Sequence, residues 1–140
     1  METLGELATK AEDVQSWMEN NVNHWKRYGY GIWIFYDKET GNFVGRGGLR
    51  HDPLEGKDEI EIEYALMPEY WGKGLGTEIG NVVLSIAEQR QLHELVVYTQ
   101  TSHAASIRII EKLGFTYEKD FVYGGSPHVL YRKRLNLKSR

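Results

Sequence analysis

The chain has 140 residues, of which 41% are hydrophobic and 26% charged, with a net charge of -3 at pH 7. This size fits one domain with one core, and the charge balance lacks the basic excess of nucleic-acid-binding proteins. The absence of cysteine excludes disulfides, a cysteine nucleophile and thiolate metal sites. No basic segment followed by an apolar run opens the chain, and no stretch approaches about twenty apolar residues. We therefore predict one cytoplasmic domain over residues 1–140, without membrane, nucleic-acid or metal partners.

The first part of the chain predicts helical structure followed by a β-hairpin. Six apolar residues recur at helical spacing and predict one or two helices: Ala11, Val14, Trp17, Met18, Val22 and Trp25. Residues 31–36 are β-branched and aromatic, and a polar turn over residues 37–42 leads into residues 43–49, which predicts a hairpin. A polar loop over residues 51–58 is expected to follow.

Alternation and apolar periodicity define the remaining elements. Residues 59–66 alternate strictly, which places the three glutamates of this strand on one face. A second helix, from residue 74 to about residue 89, is expected to pack on the sheet through Leu75, Ile79, Val82, Val83 and Ile86. An apolar run at 95–98 is a further strand, residues 121–131 form a last hairpin, and the basic residues 132–140 are a solvated tail. Helices alternating with strands predict an α/β or α+β fold with a mixed, mainly antiparallel sheet.

A glycine-rich turn joins the alternating strand to the second helix. Gly72, Gly74 and Gly76 have no Cβ, so the backbone can adopt positive φ and an anion can approach the main chain closely. The first N–H groups of the following helix lack intrahelical partners and lie at the positive end of its dipole, and Lys73 adds a full charge. This junction predicts a binding site for a phosphorylated cofactor.

Two common phosphate loops do not fit this spacing. The dinucleotide fingerprint would need glycine at Thr77 or Ile79, and the Walker loop would need it at Met67. Trp71-x-x-Gly74-x-Gly76 instead resembles the coenzyme A pyrophosphate loop of the GNAT N-acetyltransferases. The Trp in place of the usual Gln or Arg, with Pro-Glu shortly before it, is similar to the branch that includes the ribosomal-protein N-terminal acetyltransferases.

A second motif supports the same resemblance. Residues 106–115, Ser-Ile-Arg-Ile-Ile-Glu-Lys-Leu-Gly-Phe, resemble the later motif of the superfamily, at the expected order and separation. The resemblance covers roughly residues 30–125 and implies the GNAT fold, with acetyl-CoA as co-substrate and a primary amine as acceptor. In the family, the strand ending at residues 66–67 carries a bulge and splays from its neighbour, and the pantetheine arm lies in the gap. The implied cofactor site consists of Leu66, Met67, Trp71, Gly72, Lys73, Gly74, Leu75, Gly76, Thr77, His103 and Ser106.

Glu61 and Glu63 are the candidate general bases, because carboxylates on a strand lining the cleft can take a proton directly or through water. Glu61 is preferred, since it aligns with the glutamate of the branch's Glu-Ile-Gly-Tyr pattern. The alternative is that these glutamates form only a solvated strand face. The resemblance also implies that the Leu66 amide donates to the thioester carbonyl.

The tyrosine that many family members use as the acid is absent, because its position is Ile110. Ser106, one helical turn earlier, is the candidate acid, and its alternative role is a cap or a hydrogen bond to its own helix. His103 replaces the family's common asparagine. This histidine could contact the cofactor, act as the acid, or cap a helix.

Five aromatic residues are candidates for the acceptor pocket, although such residues also fill cores: Trp17, Trp25, Tyr28, Tyr30 and Tyr123. The predicted activity is direct attack of a primary amine on acetyl-CoA in a ternary complex, with a protein or peptide N-terminus as the first candidate acceptor. A small-molecule amine or antibiotic acetyltransferase, and a non-catalytic acetyl-CoA sensor, are the alternatives. Residues 1–10 show no match to the pattern of the family's usual first strand, so we expect this strand to be either missing or divergent. A missing strand would leave an exposed sheet edge that invites homodimerisation.

Overall fold

The computed structural model of the protein describes residues 11–135. Over this range three α-helices are interspersed among six strands, and the strands assemble into one sheet. In chain order the elements are α1 (Ala11–Tyr28), β1 (Ile32–Tyr36), β2 (Phe43–Leu54), β3 (Lys57–Leu66), a 3-10 turn (Pro68–Tyr70), α2 (Leu75–Gln89), β4 (Glu94–Gln100), α3 (Ala104–Lys112), β5 (Thr116–Tyr123) and β6 (Ser126–Arg134).

The strand order is β1-β2-β3-β4-β6-β5, and every neighbouring pair is antiparallel except β3 and β4. This arrangement confirms the predicted mixed, mainly antiparallel sheet. Parallel pairing of β3 with β4 occurs only at Glu61 and Val96. Beyond this pair the two strands separate, so a gap opens between their C-terminal ends. β1 and β5 are the edges of the described sheet, and residues 1–10, where the family's usual first strand would lie, are outside the described range.

β2 and β3 form a long hairpin where a polar loop over residues 51–58 was predicted. That prediction is wrong, because Glu55 and Gly56 alone make the turn, with φ of 51° and 78°. Two consecutive left-handed residues match the right-handed twist of paired strands. The β2–β3 register then runs without a shift from Leu54 opposite Lys57 to Gly45 opposite Leu66. The bulge that the family resemblance implied for β3 is therefore absent from this register.

Helix α1 is held to the sheet by polar side chains. Asn21 makes two hydrogen bonds of 3.0 Å with the N–H and C=O of Ile32, so the helix partners the backbone where β1 begins. His24 accepts from the His51 N–H at 2.8 Å and bonds the Tyr30 carbonyl at 2.8 Å. Met18 and Val22, predicted for the apolar face, are exposed, because these polar contacts orient the other side of the helix towards the sheet.

Helix α2 covers the sheet through Ile79 and Val83, as predicted, together with Leu84 and Ala87. Val82 was expected on this face and is exposed instead. Helix α2 lies close to β2 at Gly47, because this residue has no side chain and a Cβ there would lie 2.6 Å from Ile79 Cγ2. No helix within residues 11–135 has both the length and the apolarity needed to cross a membrane.

One partly buried arginine connects four strands. Arg132 on β6 donates two bonds to the Glu59 carboxylate, at 2.9 and 2.7 Å, and reaches Glu94 at 2.8 Å and Glu118 at 2.6 Å. Its side chain is only 15% exposed. The prediction that Arg132 begins a solvated tail is therefore wrong, because its position in β6 places it among three carboxylates. Residues 136–140 lie outside the described range.

Candidate active site

The glycine-rich turn forms an open cradle at the start of α2. Gly72 and Gly74 have φ of 73° and 77°, and a Cβ at either position would meet nothing within 4 Å. Gly74 is the N-cap of α2, and the first helical bond runs from the Glu78 N–H to the Gly74 carbonyl. The preceding N–H groups of Leu75, Gly76 and Thr77 therefore have no partner within the helix. Open space, free donors and the helix dipole together fit a diphosphate.

Gly76 differs from the other two glycines of the turn. It is buried, and a Cβ there would lie 3.0 Å from Ile109 Cδ1 of α3. The prediction that Gly76 lets the anion approach through positive φ is wrong, because its small size serves packing between α2 and α3. Lys73 is exposed at the cradle, with Nζ 5.5 Å from the centre of the Tyr70 ring.

The end of β3 presents one free amide towards the gap. The Met67 N–H donates to the Val44 carbonyl of β2 at 2.8 Å. Because successive amides of a strand point to opposite sides, the Leu66 N–H faces the side from which β4 has separated. The Met67 carbonyl also accepts from the Tyr70 N–H at 2.9 Å, so both main-chain groups of Met67 are already bonded. Of the two residues expected to bind pantetheine, only Leu66 keeps a free donor.

Trp71 connects the glycine-rich turn to the end of β3. Its indole Nε1 donates to the Leu66 carbonyl at 3.0 Å, so the side chain pins the loop to the strand end while its ring remains exposed. The position that carries Gln or Arg in most of the family thus supports the backbone beside the glycine cradle.

A cavity of about 660 Å³ lies beside this gap, between α1, the central strands and the turn before α3. It brings together Glu61, Glu63 and His103 of the predicted site, with Trp17 and Tyr123 of the predicted pocket aromatics. The other three aromatics lie elsewhere: Trp25 packs against Trp33, and Tyr28 and Tyr30 pack against the His24 ring. Within residues 11–135 no group of three or more histidine, aspartate or glutamate side chains is arranged so that it could hold a metal ion.

Glu61 lies at the floor of this cavity and is only 5% exposed. Its carboxylate accepts from Arg50 Nη2 at 2.8 Å, and Glu63 Oε2 lies 3.0 Å from Arg50 Nε. The alternative of a solvated glutamate face is therefore wrong, because the cavity walls and the arginine enclose both groups. Burial and the Glu63 carboxylate raise the pKa of Glu61 well above its usual value, while Arg50 opposes the rise. A raised carboxyl pKa suits proton transfer near neutral pH.

The candidate acid lies in a different environment. His103 is the N-cap of α3, and its Nδ1 accepts from the Ser106 N–H at 3.2 Å. The Ser106 hydroxyl is buried beside the Tyr64 hydroxyl, and neither forms a hydrogen bond of normal geometry. Burial raises the pKa of Tyr64 to about 12, and the neighbouring Ser106 opposes this rise. Both hydroxyls are buried, lack a hydrogen bond of normal geometry, and lie outside the lining of the cavity. Buried polar groups of this kind are uncommon and are candidates for a functional role.

Sequence reasoning missed Arg50, Asp52 and Tyr98. The Tyr98 hydroxyl donates to Asp52 Oδ2 at 2.7 Å, and Asp52 lies 3.6 Å from Arg50 Nη2. The signal that could have found Arg50 is the Glu55-Gly56 turn, because a two-residue turn there places residue 50 opposite Glu61.

Comparisons with known proteins agree with this geometry. The family described as "Acetyltransferase (GNAT) domain" matches residues 1–116. The chain is 30% identical over 121 residues to the uncharacterised YkkB of Bacillus subtilis, covering 86% of this chain and 70% of that protein. It is 29% identical over 117 residues to the L-methionine sulfoximine/L-methionine sulfone acetyltransferase of Pseudomonas aeruginosa, covering 81% of this chain and 62% of that enzyme.

A solved structure shares the fold. RimL, a ribosomal L7/L12 alpha-N-protein acetyltransferase in complex with coenzyme A, superposes with a TM-score of 0.78 at 16% identity, covering 94% of this chain and 77% of the other. The resemblance drawn from the two sequence motifs is confirmed: this chain belongs to the GNAT acetyltransferase family.

Proposed function

We propose that this protein is an acetyl-CoA-dependent N-acetyltransferase that acetylates a primary amine by direct attack in a ternary complex. One observation carries the proposal. A single strand, β3, ends in a free amide at Leu66 beside the anion cradle, and the same strand presents the buried carboxylate of Glu61 to a cavity. An acyl donor and a proton acceptor can therefore be held side by side.

The cradle and the strand end would hold acetyl-CoA, which supplies the activated acetyl group. The N–H groups of residues 75–77 and the charge of Lys73 would bind its pyrophosphate. The Leu66 N–H would donate to the thioester carbonyl and stabilise the negative charge that develops on its oxygen during attack. One such donor is typically worth about 10²–10³ in rate.

Glu61 would act as the general base. As the amine nitrogen forms its bond to the acetyl carbon, the carbon–sulfur bond breaks, and the Glu61 carboxylate takes the proton that the nitrogen loses. The departing sulfur takes up a proton, for which Ser106 is the candidate donor. Its neighbour Tyr64 could assist, since the two hydroxyls lie together beside the gap.

Two classes of amine acceptor are compatible with this site. A protein or peptide N-terminus is the first candidate, and its support is the fold shared with RimL, which acts on a ribosomal protein. A small amine is the second. Its support is the cavity of about 660 Å³, a size typical of small-molecule sites, and the Pseudomonas relative that acetylates amino-acid analogues.

Isothermal titration with acetyl-CoA, followed by thiol release against L-methionine sulfone and peptides with a free N-terminal alanine, tests the proposal. We expect binding, and thiol release that depends on one of these acceptors. Binding without release on any acceptor would favour a sensor domain.

Gly41 provides a matched control for the cradle, because its φ of 76° and open surroundings are close to those of Gly74. Gly74→Glu should abolish acetyl-CoA binding by placing a side chain and a negative charge in the cradle, whereas Gly41→Glu should bind normally. Equal affinities of the two variants would contradict the assignment of the loop.

A further inference from the structure

Arg50 lies between the two candidate bases. It is directly opposite Glu61 in the β2–β3 register, and its Nη2 contacts Glu61 Oε1 at 2.8 Å. Its Nε lies 3.0 Å from Glu63 Oε2, and its Nη2 lies 3.6 Å from Asp52 Oδ2. One guanidinium therefore bridges three carboxylates that would otherwise repel one another.

The charges around Glu61 do not cancel. Arg50 and Arg46 are the guanidiniums at this cluster, with Arg46 4.0 Å from Glu63, and they face three carboxylates. One negative charge is in excess among these described groups. The other titratable groups that face the cluster or line the same cavity are His24 of α1, Tyr98 of β4, His103 before α3, Tyr123 of β5 and His128 of β6.

We propose that Arg50 is a positioning residue of the acetyl transfer, which aims the Glu61 carboxylate into the cavity and favours its ionised form. The proposal rests on the proposed function, in which Glu61 takes the proton of the amine. A protonated Glu61 cannot accept that proton. Arg50 thus determines the pH range over which the base is competent.

Removing Arg50 has a defined consequence. Glu61 and Glu63 lie on the same face of β3 and would be left as two neighbouring carboxylates without the shared cation. Burial and Glu63 already raise the pKa of Glu61, and loss of Arg50 would raise it further, so the ionised form would be reached only at higher pH. The Arg50 side chain is 43% exposed, so its truncation leaves no void in the core. Glu61 stays buried and can take up a proton when its cation is lost, and urea denaturation of each variant checks that it is folded under the assay conditions.

The first test is the pH dependence of kcat/KM for thiol release, with L-methionine sulfone and an alanine peptide as acceptors. Arg50→Gln should move the acidic limb of the kcat/KM profile to higher pH by at least about one unit, which corresponds to a tenfold change in the proton affinity of Glu61. Most of the rate should be recovered at high pH. In Arg50→Lys the acidic limb should lie between those of the parent protein and Arg50→Gln. Lysine keeps the positive charge but cannot contact Glu61 and Glu63 at once as the guanidinium does. Arg134→Gln, altered at an 88% exposed side chain, is the control and should match the parent protein.

The second test needs no turnover. Carbon-13 NMR titration of the glutamate carboxyls, with Glu61 assigned through Glu61→Gln, should give a higher midpoint in Arg50→Gln than in the parent. An unchanged midpoint would overturn the proposal even if no acceptor were acetylated. A shifted midpoint with an unchanged acidic limb would overturn the catalytic part, because Glu61 would then not be the base. Failure to bind acetyl-CoA would instead count against the proposed function.

Discussion

The buried Arg132 network provides a sharp test of how this sheet is stabilised. Arg132→Met would remove five hydrogen bonds, two of them to Glu59, two to Glu118 and one to Glu94. Glu94 and Glu118 are partly exposed and can be hydrated, with 29% and 36% of their side chains accessible. The Glu59 side chain is only 7% exposed and would remain buried without its partner.

The burial of Glu59 therefore determines how much stability Arg132→Met should lose. Removing one partner of a buried ion pair typically destabilises a protein by about 3–5 kcal/mol, because the remaining charge is left uncompensated. Replacing both partners with apolar residues is often close to neutral. We therefore expect Arg132→Met to lower the free energy of unfolding by about 3–5 kcal/mol, and the double variant with Glu59→Met to recover most of that loss.

Urea denaturation followed by tryptophan fluorescence and circular dichroism measures these values. Arg134→Met is the matched control, since Arg134 lies on the same strand, is 88% exposed and makes one 3.3 Å contact with Glu94. It should cost at most about 1 kcal/mol, as exposed ion pairs do. A loss in Arg132→Met no larger than in Arg134→Met, or a double variant less stable than the single one, would refute the reasoning.

Three further outcomes are expected. Trp71→Phe removes the N–H donor to the Leu66 carbonyl. Loss of one hydrogen bond, worth about 1 kcal/mol, should weaken acetyl-CoA binding about fivefold in isothermal titration, with little change in the free energy of unfolding. An unchanged Kd would show that this bond does not shape the site. His24→Ala removes the two bonds that its imidazole makes to the backbone of Tyr30 and His51 and should cost about 1–3 kcal/mol in urea denaturation, whereas His93→Ala, at a side chain with no bond of this kind, should cost little. Gly48→Ala would place a Cβ 2.1 Å from the Gly31 carbonyl oxygen, whereas Gly41→Ala meets no atom and carries only the strain of its φ of 76°, so Gly48→Ala should lower the melting temperature more. Equal losses would mean that β1 can move away from β2.

The family was identified correctly because the requirements of its motifs are local. A cradle at the start of α2 needs positive φ at Gly72 and Gly74 and an amphipathic helix behind them, and each is visible in the order of residues. The same holds for the alternation of β3, which predicted that its glutamates share a face. What these patterns did not contain was the environment of that face, since a carboxylate in solvent and one beside an arginine give the same alternation.

The errors arose where one local preference competed with another. The stretch 51–58 is rich in polar residues and was predicted as a loop, yet a turn at Glu55-Gly56 with two left-handed residues favours a tight hairpin. A loop has no cross-strand register, so its prediction left Glu61 without a neighbour on β2, and Arg50 was missed. Likewise, the stripe of α1 was assigned to Met18 and Val22, although the helix is oriented by hydrogen bonds from Asn21 and His24.

The sequence by itself determined the family and the order of helices and strands, because these depend on spacing and backbone conformation within short segments. The tertiary structure alone decided which groups are free to act. The Leu66 amide is available because Met67 is bonded to β2, and Gly76 packs against α3. Glu59 is neutralised by a residue 73 positions away, whereas Glu61 faces the cavity with an arginine 11 positions away. Burial and charge at a side chain depend on such distant neighbours, which only the folded chain brings together.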